Sequence, residues 1–455
     1  MLGASSQRLR VCKEVTTVKI IQVDGKTEKQ FVKTLKQRAQ EADRDIVTKV
    51  SKILKDVQEI GDKAVDQYSL QFDGVLPQTR EVPGYMLQEA LDHIDATLLE
   101  ALQNAKANIW DFHMKQKQHS FIDAKPEGII LGQRVRGLDK VGIYVPGGRA
   151  AYPSTVLMNA IPAKIAGVNE IIMVTPPQKD GTANQVVLAA AALAGIDRVF
   201  LTGGSQGVAA LAYGTETIPA VDKIVGPGNI FVATAKKLLY GQVDIDMIAG
   251  PSEILIIADE TAVPAYIAAD LMSQAEHDPM ASAMLVTDSP KLADQVQNEI
   301  ERQVVNLERQ EIIKMALRDY GAIFLTRSLD ESINLANELA PEHLEVMVAE
   351  PFESLGRIQN AGSVFLGSFA PEPLGDYFAG PNHVLPTNFT AKFFSPLSVD
   401  SFIKRSSFIY YPEAALKAAA NQIITIAKHE GLTAHAHAIS IRQQGYNDKK
   451  EAELS

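Results

Sequence analysis

From Lys140 onward the chain alternates short apolar runs with small-residue helical runs, and this alternation constrains the fold more than any other feature. "KVGIYVPGG", "EIIMVTPP", "RVFLTGG" and "KIVGPGN" are apolar runs closed by Gly or Pro. Between and after them lie "TVLMNAIPAKIAG", "QVVLAAAALAG", "SQGVAALAYGT" and "IFVATAKKLLYG", which read as helices. A strand that is apolar without alternation has both faces buried, as in a parallel sheet covered by helices on both sides. A second series follows: strands "EILIIAD", "SAMLVTDS", "GAIFLT", "LEVMV" and "GSVFLG", with helices "PAYIAADLMSQAEH", "KLADQVQNEIERQVV" and "SLDESINLANELA". The expected fold class is α/β, with two Rossmann-like open parallel-sheet units. The halves have the look of an old duplication, although their sequences are only faintly alike.

Residues from about 28 to 118 read differently. Apolar residues recur there at helical spacing among many charges, which predicts a helical N-terminal region. His93 and His113 then read as polar-face or interface residues with no claim on a site. Beyond about Thr387 the chain is loop-rich and then helical, a C-terminal helical extension.

Several function classes are disfavoured. The net charge is -11 and there is no basic stripe to meet a phosphate backbone, so nucleic acid is not the expected partner. No apolar run reaches the roughly 18 residues needed to span a membrane. The single cysteine, Cys12, cannot close an internal disulfide or build a thiolate zinc cluster. Any metal must be held by His, Asp, Glu, Gln or water. The first fifteen residues, "MLGASSQRLRVCKEV", are basic but have no long apolar centre, so they are not a secretory signal. A tail and an organelle-targeting peptide both remain open for them, and a cytoplasmic protein is the default.

Ligand sites are expected where strands turn into helices. "YVPGGRA", "LTGGSQG" and "VGPGN" let backbone N–H groups approach a phosphate or ribose. None has the spaced-glycine dinucleotide fingerprint, so tight turns without a ligand remain an equal reading. Six of the nine histidines lie at or after position 277: His277, His343, His383, His429, His435 and His437. In "SQAEHDP" Gln274 and His277 are three apart on a predicted helix end, so one face carries both. They could share a metal, or His277 could simply face the helix dipole. In "APEHLEVM" Glu342 and His343 fall on a loop at an element boundary. They could act as an acid–base pair or as a hydrogen-bonded loop pair. "PLGDYFAGPNHVLP" holds Asp376 and His383, and "HEGLTAHAHAIS" holds Glu430, His435 and His437. His429 and His437 read as solvent-facing.

These stretches together resemble the histidinol dehydrogenase family. The resemblance rests on "VGIYVPGGRAAYPSTVLMNAIPAKIAGV", "DKIVGPGNIFVATAKKLLYG", "IDMIAGPSEILIIAD", "MSQAEHDP", "APEHLE", "GDYFAGPNHVLPT", "SPLSVDSFIKRSSF" and "EGLTAHAHAISIR", in that order over about residues 28 to 445. It implies zinc-dependent oxidation of L-histidinol to L-histidine through L-histidinal with two NAD molecules. It implies one zinc per subunit on Gln274, His277, Asp376 and His435. Substrate contacts would come from Ser252, Gln274, His277, His343, Asp376, His383, Glu430 and His435, and NAD contacts from Tyr144, Gln206 and Asn229. A homodimer with a shared site would have Glu430 and His435 complete the partner's centre. Glu342 is expected to activate water and His343 to take substrate protons. The corresponding domains are 1–41, an arm and helix; 42–143 with 253–397, the larger Rossmann-like domain with the zinc site; 144–252, the second, with the NAD-binding turns; and 398–455, a dimer-swapped segment. A relative acting on another polar alcohol, and a non-catalytic nucleotide sensor, are the competing readings.

Overall fold

The computed structural model describes residues 18–40, 44–147 and 151–444. Cys12 and the rest of the basic N-terminal stretch lie outside these, as do residues 148–150 of the first glycine turn and the end of the 398–455 segment. The chain forms two compact units. The first comprises residues up to Gln116 together with Leu138–Phe402, and the second comprises Lys117–Gly137 and the chain from Ile403.

The first unit contains two parallel sheets, with strands numbered along the whole chain. The six-stranded sheet holds β1 (Lys19–Gln22), β9 (Glu253–Ala258), β10 (Ser282–Thr287), β11 (Ala322–Leu325), β12 (His343–Met347) and β13 (Ser363–Leu366), in the order β1-β11-β10-β9-β12-β13. The five-stranded sheet holds β4 (Lys140–Tyr144), β5 (Glu170–Thr175), β6 (Arg198–Leu201), β7 (Lys223–Val225) and β8 (Asp244–Ile245), in the order β6-β5-β4-β7-β8. Setting aside the added edge strand β1, both sheets run third, second, first, fourth, fifth by chain order. This is the doubly wound pattern, in which the strand order reverses beside the first strand.

The continuous apolar runs do what their sequence requires. Every residue of β9 and β10 is buried. Ile254 and Ile256 pack into a core on one face of the sheet, and Leu255 and Ile257 into a core on the other. In the smaller sheet Val141 and Ile143 face one core, and Tyr144, Ile172 and Val174 the other. The helix Pro153–Ala166 is buried along almost its whole length, which explains its lack of a polar face. The helices Arg44–Ile60 and Asp62–Asp73 cover the five-stranded sheet, with Val50, Ile53, Val57 and Val65 in its core. No helix among the described residues is long and apolar enough to cross a membrane.

The second unit holds an antiparallel sheet of β2 (Phe121–Ala124), β3 (Ile130–Gly137) and β14 (Ile403–Tyr410), in the order β14-β3-β2, and the helices Glu413–His429 and Thr433–Gln444. The sequence reading anticipated the helices and missed the sheet. The eight residues of β14 are exposed or half-exposed throughout, so they carry no alternating apolar signal. The edge strand β1 and the helix Gln310–Tyr320 were missed as well.

Candidate active site

A cavity of about 280 Å³ opens between the two sheets of the first unit. The five-stranded sheet contributes the carboxyl end of β7, with Gly226, Pro227 and Gly228 in the wall. The six-stranded sheet contributes the opposite polarity: Ser252 just before β9, and Glu342 and His343 where β12 begins. One sheet therefore presents its usual ligand-binding end and the other its amino end.

His343 is buried and is the first residue of β12, not a loop residue as its sequence setting suggested. Its Nδ1 donates to the Glu253 carbonyl at 3.0 Å, since a carbonyl can only accept. In the neutral ring the lone pair is then on Nε2, which is buried and has no hydrogen-bond partner. Glu342 lies just outside the strand, and its Oε2 accepts from the Glu253 backbone N–H at 2.9 Å. Both groups of one peptide residue thus orient the pair. Glu342 Oε2 is 3.7 Å from His343 Nδ1, and Asp376 Oδ1 is 3.7 Å from Nε2, ion-pair distances too long for hydrogen bonds.

The electrostatics follow from burial and crowding. Burial pushes the Glu342 carboxyl up to about 7. Burial works against a charged His343, but the carboxylates of Glu342 and Asp376 outweigh it and lift the imidazole to about 10. Burial also acts to raise Asp376, and the neighbouring His343 and His383 overcome it and hold the carboxyl down at about 2. Glu372, which accepts from Ser273 Oγ at 3.2 Å, is pushed up to about 8 by burial and by Asp376. Ligand atoms of His343, Glu372 and Asp376 lie within 4.8 Å of one another. Sequence reasoning passed over Glu372, whose burial gives no local sequence signal.

The remaining expected site residues of this unit are placed as follows. Gln274 is buried on the helix Pro264–Ala275, and its Oε1 has no hydrogen-bond partner. His277 lies beyond that helix, which ends at Ala275 before Asp278-Pro279, so the two do not share a helix face as expected. His277 is exposed but still lines the cavity. His383 lines it too, with Nδ1 donating to the Asp376 carbonyl at 3.0 Å, which leaves Nε2 as the acceptor. Burial lowers the His383 pKa and favours that neutral form. An unpartnered amide oxygen, a carboxylate and imidazole nitrogens at one cavity make a donor set suited to a divalent cation.

The three cofactor candidates occupy different strand ends. Tyr144 ends β4 and its hydroxyl accepts from the Gly204 N–H at 3.1 Å. Gln206, on the helix Gly204–Tyr213, is 1% exposed, and neither atom of its amide is paired. Asn229 is exposed and caps the helix Ile230–Leu239, accepting from Phe231 and Val232 N–H. A buried ion pair not foreseen from sequence grips the turn before it: Lys236 and Asp246 pair with each other. Lys236 also donates to the Gly226 carbonyl at 2.9 Å, and Asp246 accepts from the Gly226 N–H at 2.8 Å.

Glu430 and His435 belong to the second unit, at the end of the helix Glu413–His429 and within Thr433–Gln444. Both are exposed, as are His429 and His437. Of the two placements expected for His113, the polar face is excluded and the interface fits: it is fully buried, with Nδ1 2.7 Å from Gln116 Oε1 and Nε2 3.4 Å from Asn382 Nδ2.

A doubly wound parallel sheet whose glycine turn after β7 opens on a buried imidazole–carboxylate cluster defines an α/β enzyme of the dinucleotide-binding kind. Comparison with known proteins narrows the class. The histidinol dehydrogenase family model matches residues 36–443. The histidinol dehydrogenase of Clostridium acetobutylicum is 56% identical over 93% of this chain and 99% of its own length. That of Listeria innocua is 56% identical over 88% of this chain and 94% of its own. The crystal structure of histidinol dehydrogenase from Elizabethkingia anophelis superposes with a TM-score of 0.88 at 37% identity, covering 95% of this chain and 99% of that one. The chain belongs to the histidinol dehydrogenase family, NAD-dependent oxidoreductases of histidine biosynthesis.

Proposed function

We propose that the chain oxidises L-histidinol to L-histidine through L-histidinal, using two NAD molecules in succession. The observation that carries this reading is the meeting, in one cavity, of a glycine turn, the oriented Glu342–His343 pair and the unpartnered oxygen of Gln274. In the first oxidation His343 Nε2 takes the hydroxyl proton while the carbinol hydride passes to nicotinamide. Glu342 then takes a proton from water as its oxygen adds to the aldehyde carbon, and protonated His343 gives its proton to the former carbonyl oxygen, which completes the hydrate and frees Nε2. In the second oxidation His343 accepts a proton from the hydrate as the second hydride leaves. The sum is one alcohol, one water and two NAD giving one carboxylate, two NADH and three protons.

Gln274, His277 and Asp376 would hold a zinc ion, one per subunit, with His435 reaching in from a second copy of the chain. The ion would supply a fixed anchor for the substrate's imidazole and amine. A cation on Asp376 would also offset the negative charge facing His343, which would favour the base form of its Nε2. Ser252, His383 and the second copy's Glu430 would complete the substrate contacts. Tyr144, Gln206 and Asn229 would meet NAD. The domain division stated above, with 398–455 exchanged between copies in a homodimer, and a cytoplasmic location belong to the same reading.

The test is turnover of L-histidinol with NAD by protein of known zinc content, before and after chelation. Histidine and NADH in a one-to-two ratio, lost with the metal and restored by zinc, is the expected result. Oxidation of a different diol with no histidine formed would reject the substrate, and metal-free, inactive protein that zinc does not rescue would reject the enzyme.

A further inference from the structure

In a dinucleotide-binding sheet of this strand order, an acidic residue downstream of the first turn ordinarily holds the adenosine ribose. The second strand of the cofactor sheet lacks one at its end. β5 finishes at Thr175 and runs into Pro176, Pro177 and Gln178. The next carboxylate, Asp180, is exposed and committed to Thr182, whose N–H and hydroxyl it accepts.

The covering helix Asp62–Asp73 brings a carboxylate to the same region. Ser69 Oγ on that helix lies 3.5 Å from Thr202 Oγ1, just past the end of β6. Asp73 is one turn further along the same face, close enough for its charge to act on the Tyr144 hydroxyl. That hydroxyl accepts from the Gly204 N–H, and the Gln206 amide folds over Gly204. Asp73 Oδ2 and both amide atoms of Gln206 are buried without hydrogen-bond partners. Buried polar atoms in a folded protein are ordinarily paired, so orphans gathered around one turn point to a polar ligand. Burial alone lifts the Asp73 carboxyl to about 6, which still leaves it anionic at neutral pH.

Position along the sheet tells which part of the ligand is met. The turn after β7 lines the catalytic cavity, and β6 lies three strands away across β4 and β5, roughly 14 Å at ordinary strand spacing. A dinucleotide laid along these strand ends with its nicotinamide near His343 has its adenosine half beside Tyr144, Gln206 and Asp73. We propose that Asp73 accepts hydrogen bonds from the adenosine ribose hydroxyls of NAD and repels a 2′-phosphate, making it the residue that selects NAD over NADP. This rests on the NAD-dependent reading given above.

The experiment measures binding of ADP-ribose and of 2′-phospho-ADP-ribose to the wild type, Asp73→Asn and Asp73→Ser by calorimetry, with melting temperatures as a check on folding. Losing a charge-assisted hydrogen bond should weaken ADP-ribose binding roughly tenfold in Asp73→Asn, and the preference over the 2′-phosphate should shrink in both variants. A preference unchanged within twofold in folded variants, or a wild type that binds neither probe, overturns the proposal. Histidinol turnover by the wild type is scored separately. Its failure rejects the proposed reaction, whereas an unchanged preference in an active enzyme rejects Asp73 alone.

Discussion

Glu342 and His343 are neighbours in sequence with different roles in the proposed reaction, and the Glu253 backbone holds one by its N–H and the other by its carbonyl. Glutamine at 342 can still accept from that N–H, so Glu342→Gln should fold normally. It should slow oxidation of histidinal by about 10²-fold or more while slowing oxidation of histidinol much less, general-base catalysis being worth that range. Separate assays of the two half-reactions check this, and equal losses would remove the assigned role. Asp73 makes a pH prediction. Its folded pKa of about 6 lies above the ordinary carboxyl value of 3.8, so folding favours the protonated form. Its contribution to stability is full below pH 4 and is lost as pH rises through 6. Asp73→Asn should therefore melt higher than the wild type at pH 8, with the difference vanishing near pH 4. A difference independent of pH would contradict that origin.

The glycine turn after β7 is fixed from several sides. Gly226 has φ of 109°, and a Cβ there would lie 2.1 Å from the Tyr144 carbonyl oxygen. Gly226→Ala should cost about 2–5 kcal/mol from backbone strain and overpacking together, read from denaturant unfolding. Lys236→Met should cost about 3–5 kcal/mol, because it strands Asp246 as an uncompensated buried charge. The apolar strands of both sheets were legible in the sequence because burial on both faces leaves the middle of β9 and of β10 an unbroken apolar run. The three-stranded sheet of the second unit was not legible, since "IKRSSFIY" is exposed or half-exposed along its length and pairs through backbone that any sequence supplies. At the site, single residues were legible and their neighbours were not. Glu372 sits one turn before Asp376 on the short helix Glu372–Tyr377, a spacing hidden by the Pro and Gly that make the run read as a turn, and Lys236 reaches Gly226 across a turn with no regular spacing at all.

At the scale of the whole molecule the shared-site reading has a direct test. His343→Asn and His435→Asn proteins, each inactive, should recover about a quarter of wild-type activity after subunit exchange, since half the dimers are mixed and each mixed dimer restores one of two sites. No recovery despite verified exchange would mean that each copy is complete in itself. The two sheets carry the same strand order, yet only one offers its carboxyl end to the cavity, and the other closes it with the starts of β9 and β12. In the proposed reaction one cradle would serve both hydride transfers, and the first NADH would have to depart before a fresh NAD could enter. The aldehyde would wait through that exchange, and the yield of each catalytic cycle would become a race between cofactor replacement and escape of the half-oxidised intermediate.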